Sequence, residues 1–190
     1  MSVTMQAHPG SAAGGWRYSG VARALHWLVV AMLAVQYSVA LWLDLVLPKS
    51  AEGALVQWHF SLGSSVLVVM LVRLGWRLTH PAPPAPADLS PALRVVSRVT
   101  HWAFYTGFMV LPVMGWLAAS GDGARVKLAG LIPLPQIVAK GDPLGKLMET
   151  VHPAFALTLL ALIALHIAGA LYHGLVKRDG VMGRMAPGRG

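Results

Sequence analysis

Along the chain, long apolar runs alternate with shorter polar stretches. Four of the runs hold no Asp, Glu, Lys or Arg: Ala24–Leu43, Ala54–Val72, Val99–Gly121 and Thr150–Val176. Each reaches or approaches the roughly 20 residues that, at about 1.5 Å rise, cross a hydrocarbon core about 30 Å thick. Membrane strands would instead alternate apolar and polar positions over about ten residues. The pattern therefore predicts an all-α, integral membrane four-helix bundle with helices over 23–47, 53–79, 93–120 and 144–177.

The punctuation between the runs agrees. Pro48 ends the first helix, and the proline-rich "THPAPPAPA" forbids helix after the second. Pro112 predicts a kink within the third helix and Pro153 a bend near the start of the fourth. "DGARVKLAGLIPLPQIVAKGDPLG" reads as a loop resting on the membrane surface. Residues 1–16 are rich in Gly, Ser and Ala and read as a flexible segment, with 186–190 as a short tail. The first 23 residues contain no apolar core, so no cleavable signal peptide is expected.

Composition sharpens this picture. The chain is 56% hydrophobic and only 12% charged, too little charge to cover a soluble domain of 190 residues. Its net charge of +8 is unevenly spread. The side holding both chain ends carries Arg17, Arg23, Arg73, Arg77, Arg94, Arg98, Lys177, Arg178, Arg184 and Arg189 against Asp88 and Asp179. The other side balances Lys49, Arg125, Lys127, Lys140 and Lys146 with Asp44, Glu52, Asp122, Asp142 and Glu149. An excess of Lys and Arg marks the cytoplasmic side, so both termini are expected there, in a multi-pass protein of the plasma membrane. The basic residues then read as orientation and lipid contact, with no nucleic acid as partner. The balanced outer side predicts no electrostatic funnel for a small anion.

Histidine is the anomaly. His26, His59, His101, His152 and His166 fall within or at the ends of the spans, and His173 follows closely. His8 and His80 lie outside them and read as solvated. Intramembrane ionisable residues are costly, and this density points to a site. At about 100° per residue, His152, His166 and His173 form one stripe on the fourth helix. The first two are about 21 Å apart along the axis, so one small ion cannot bridge them, and two stacked sites fit better. By depth His59 matches His152. For the inner site, His26 and His101 each lie three residues inside an arginine, and their partner is either His166 or His173, with depth slightly favouring His173.

The absent residues narrow the chemistry. There is no cysteine, which excludes disulfides, thiolate-bound clusters and covalent haem attachment. Zinc or di-iron centres would ask for carboxylates or thiolates, and the spans contain neither. The same lack of acids argues against a cation-coupled transporter. A haem supplies four nitrogens itself and needs only two axial ligands, which two histidines on facing helices provide. Gly63, one turn after His59, would let a flat ring approach the backbone. Arg73 and Arg77 lie on nearly the His59 face of the second helix, at inner depth, where they could pair with haem propionates or anchor topology. Trp27, Trp58, Trp76, Trp102 and Trp116 sit near span ends as aromatic belts do.

These residues also carry a resemblance. "RYSGVARALHWLVV", "WHFSLG" followed by "MLVRLGWRL", "THWAFYTGFMVLPVMGW" and "HPAFALTLLALIALHIAGALYHGLVKRDGVMGRM" occur in order and resemble the bacterial cytochrome b561 family from Arg17 to Met185. The resemblance implies one four-helix cytochrome b domain over 17–185, in the bacterial inner membrane, holding two non-covalent b haems. It implies His26 and His166 as axial ligands of the inner haem and His59 and His152 of the outer one. His101 and His173 match family histidines that are not ligands and serve propionates or a quinone site. The implied function is electron exchange between a donor and the quinone pool, in one member type oxidation of superoxide with reduction of ubiquinone. The competing class is the membrane-anchor cytochrome subunit of a hydrogenase or other dehydrogenase, and a haem-free transporter or assembly factor is more distant. Small membrane cytochromes often pair, which suggests a homodimer.

Overall fold

The computed structural model describes residues 17–46, 53–80, 82–84 and 89–186. The expected flexible segment 1–16 with His8, and the tail beyond residue 186, lie outside them. Four helices long and apolar enough to cross a membrane make up the fold. They are α1 (Gly20–Leu45), α2 (Gly53–Thr79), α3 (Pro91–Gly121) and α4 (Pro143–Leu171).

Their starts are set by local chemistry. The Ser19 hydroxyl accepts from the Ala22 N–H, so α1 begins three residues before the expected Arg23. The Ser90 hydroxyl accepts from Leu93 N–H with Pro91 in the first turn, and an Asp142 carboxylate oxygen accepts from Leu144 N–H with Pro143 behind it. Each cap satisfies a donor that the first helical turn leaves open. α3 runs on through Pro112 and α4 through Pro153.

α2 packs between α1 and α3, and α3 packs on α4. The α3–α4 contact is close. Gly121 and Gly145 meet backbone to backbone, and Leu159 fills the space over Gly107. The adjacent pair α1 and α4 is different, because it is not among the closely packed pairs. The Tyr37 hydroxyl spans that seam and donates to the Ala156 carbonyl at 2.8 Å. Buried Val29, Val66, Met70, Tyr105, Phe108 and Leu159 form a slender core. Leu45, Trp58, Leu165 and Val176 face outward, as lipid-facing side chains do.

Two connections depart from expectation. The loop after α3 is an ordered structure. Strands β1 (Lys127–Leu128) and β2 (Ile132–Pro133) pair antiparallel, with Lys127 opposite Pro133 and Leu128 opposite Ile132. Val126 is buried, β1 lies against α2, and the Ser64 hydroxyl reaches the Lys127 carbonyl. Trp116 Nε1 donates to the Pro135 carbonyl and Ile137 N–H to the Ser120 hydroxyl. The hairpin is thus strapped to α2 and α3.

At the other end, α4 widens into a π-turn over Tyr172–Lys177, and the chain reverses at Arg178 in the left-handed conformation (φ 52°). His173 Nδ1 and an Asp179 carboxylate oxygen lie 2.6 Å apart. The following segment, with a short 3₁₀ turn at Met182–Arg184, folds back onto the start of α1. Arg17 and Arg23 donate to the Ala186 carbonyl, Trp27 Nε1 to Met185, and Tyr18 N–H to Arg184. Both described ends of the chain therefore meet at one end of the bundle, here termed the basic end. The hairpin lies at the other, the loop end.

Candidate functional site: two histidine clusters in the bundle

At the loop end, His59 on α2 faces His152 on α4. Their ring centres are 6.3 Å apart and their planes cross at 76°. At metal–nitrogen bonds of about 2.0–2.1 Å, two imidazoles on opposite faces of one metal ion have ring centres roughly 6 Å apart. The His152 ring rests against α3 where Gly115 offers no side chain: a Cβ there would lie 3.1 Å from Cε1. His152 Nδ1 is buried without a hydrogen bond, and the Leu111 carbonyl of α3 faces the same ring.

Gln36 on α1 completes this cluster, and sequence reasoning missed it. Its Nε2 donates to the His59 backbone carbonyl at 3.1 Å and lies 3.1 and 3.3 Å from the two ring nitrogens. Its Oε1 is buried with no partner. The amide fills the notch at Gly63, where a Cβ would stand 3.1 Å from Nε2. A lone amide inside the uncharged run Ala24–Leu43 was the available signal.

At the basic end, all four helices contribute. His26 from α1 interacts electrostatically with Arg73 of α2, His166 of α4 and His101 of α3. The rings of His101 and His166 are 5.8 Å apart, and Phe104 stands edge-on to His166. His101 Nδ1–H donates to the Ser97 carbonyl at 2.6 Å. Arg73 lies over the Tyr105 ring, 5.7 Å from its centre, and donates to the Ala22 carbonyl. Arg77 acts on His101 from the same helix.

At this end the structure sets His166 beside His101 and within electrostatic reach of His26, whereas depth alone slightly favoured His173 as the partner. His173 lies on the π-turn, paired to Asp179. An i→i+5 turn shifts later residues off the α-helical stripe. His80 stands apart from both clusters and stacks on Trp76, with ring centres 3.7 Å apart.

Among the described residues, no three His, Cys, Asp or Glu side chains converge on a common point. The loop-end cluster presents imidazole nitrogens from facing helices, glycines beside them, and two buried polar atoms without partners, Gln36 Oε1 and His152 Nδ1, while the basic-end cluster presents imidazoles from α1, α3 and α4 beside Arg73. That donor set fits a ligand that brings its own equatorial atoms, with Arg73 available to an acidic edge.

Comparison with known proteins agrees. A family model described as prokaryotic cytochrome b561 matches residues 17–188. The chain belongs to the prokaryotic cytochrome b561 family. It is 30% identical to a probable superoxide oxidase, CybB, of Yersinia pestis over 90% of this chain and 96% of the relative. It is also 28% identical to cytochrome b561 homolog 1 of Escherichia coli, over 91% and 98%, and 24% identical to homolog 2 from the same organism, over 89% and 90%. As a b561 protein, it is a multi-pass bacterial membrane cytochrome that binds b-type haem and carries electrons.

The loop end also shows where its charges stand. Asp142 caps α4 and Glu149 pairs with Lys146. Arg125, Lys127 and Lys140 have no carboxylate partner among the described residues.

Proposed function

We propose that this cytochrome moves electrons across the bacterial inner membrane through two b haems, one for each histidine cluster, and exchanges them with the quinone pool. His59 and His152 are the axial pair at the loop end, and His26 and His166 the pair at the basic end. The basic end faces the cytoplasm, as its arginines favour. The observation that carries the reading is the 6.3 Å separation of the His59 and His152 rings across the bundle.

His26, His101 and His166 are neighbours at the basic end, and helix packing supports His26 with His166. A flat macrocycle needs a gap between helices. α1 and α4, which bear these two, are not packed closely, whereas α3 and α4, which bear His101 and His166, are. His101, whose Nδ1–H is held by the Ser97 carbonyl, is then left with Nε2 as an acceptor, and Arg73 balances negative charge at the same depth.

Bound haem supplies a one-electron iron couple. The chain's own contribution would be to hold the metal between two imidazoles from facing helices, and to keep water from the clusters with Phe104, Tyr105 and Phe108. A superoxide oxidase among the relatives supports a small redox-active donor for this cytochrome.

The test is a pyridine haemochrome assay with reduced-minus-oxidised spectra on detergent-purified protein. Two low-spin b haems per chain are expected, one lost in His59→Ala or His152→Ala and the other in His26→Ala or His166→Ala. Loss of a haem in His101→Ala with retention in His26→Ala would reassign the basic-end pair. A chain that purifies without haem would overturn the reading.

A further inference from the structure

The Gln36 amide lies against a ring that the proposed function makes a ligand, so any role for Gln36 at the metal rests on that reading. A histidine bound to metal through one ring nitrogen carries a proton on the other, and the acceptor of that proton fixes the ring and raises its basicity. His101 has such an acceptor in the Ser97 carbonyl. For His59 the side chain within 3.1–3.3 Å of both ring nitrogens is Gln36.

We propose that Gln36 is a positioning residue for the loop-end haem, its amide oxygen accepting the proton of the non-ligating nitrogen of His59. Three observations meet here. Whichever ring nitrogen binds metal, the other is within reach of this amide. Oε1 is buried and unpartnered, so it holds a free acceptor in a place where an unsatisfied polar atom is costly. The two ends of an amide differ little in shape, so a half-turn about the last side-chain bond exchanges them. That turn gives up the hydrogen bond to the His59 carbonyl and sets Oε1 against that carbonyl oxygen, so the amide also swings away from the backbone toward the ring edge. It also relieves a donor-to-donor contact that metal binding would otherwise create. The Gly63 notch gives the amide room, since a side chain there would press on it at 3.1 Å.

The consequence is electronic. An acceptor on the imidazole N–H makes the ligand a stronger donor and favours the oxidised metal, which lowers the potential of that haem alone. Gln36→Leu removes the acceptor at similar bulk, and Gln36→Glu replaces it with a stronger one. We expect Leu to shift the reduction equilibrium of the loop-end haem about tenfold toward the reduced form, 59 mV for one electron. Glu should shift it by a similar factor toward the oxidised form, and the basic-end haem should keep its potential in both.

Potentiometric titration with low-temperature electron paramagnetic resonance on wild type and both variants reads this directly. Opposite shifts confined to one haem support the role, because a packing defect moves both variants the same way. Shifts in one common direction, or unchanged potentials and g-values, overturn it. A wild-type protein with no haem sensitive to His59→Ala removes the reading beneath it, and that failure is seen before any Gln36 variant is made.

Discussion

The α-carbons of Gly121 and Gly145 face each other so closely that a Cβ built on Gly121 would stand 2.7 Å from Gly145 Cα, and one on Gly145 would stand 2.6 Å from Gly121 Cα. No side-chain rotation relieves a clash between backbones. Gly121→Ala and Gly145→Ala should each cost about 1–3 kcal/mol, the usual range for overpacking. A lowered midpoint in thermal unfolding of the purified protein is the measurement. An unchanged midpoint would mean that the two helix ends separate easily.

Gly115 makes space for the ring of His152. Gly115→Val puts branched bulk where even a Cβ is 3.1 Å from the ring, so it should displace His152 and lose the loop-end haem. Absorbance should fall by about half while the remaining haem keeps its potential. The same substitution at Gly75, whose Cβ position meets nothing within 4 Å, is the control.

Arg73 places a positive charge beside three imidazoles at the basic end. Positive charge favours the reduced form of a nearby redox centre. Arg73→Gln should therefore lower the potential of the basic-end haem, by roughly tenfold in the equilibrium constant for a charge of this proximity. Potentiometric titration checks it. A shift in the loop-end haem instead would exchange the assignment of the two clusters.

Asp179 ties the fold-back segment to the π-turn. Burial raises its carboxyl, but hydrogen bonds from His173 and the Val181 N–H outweigh this and leave it below the ordinary carboxylate value. A folded value below the unfolded one gives stabilisation that is complete above the unfolded value and lost as pH falls through the folded one. The segment from 180 to 186 should thus stay protected down to about pH 4 and loosen below it. Hydrogen exchange against pH reads this, and Asp179→Asn should be loose throughout.

How far the sequence could be read depends on the range of the forces involved. The four helices were legible because length and charge exclusion decide them residue by residue, and α2 occupies Gly53–Thr79 as expected. The pairing of His59 with His152 was legible from depth. The hairpin was not, since two strands of two residues carry no period, and the groups that hold them, Ser64, Trp116 and Ser120, are far away in sequence. Depth counting slightly favoured His173 at the inner site, and depth along one helix does not show that the side chain is held by Asp179 from beyond the π-turn. Gln36 went unread for a third reason. An amide in a greasy helix shows its worth only when its neighbour on another helix is known.

The seam between α1 and α4, where the Tyr37 hydroxyl meets the Ala156 carbonyl, is the lightest joint of the bundle. Helices that share little packing part at little cost, so a breathing motion of the four helices opens there first, and the α3–α4 side, locked glycine against glycine, acts as its hinge.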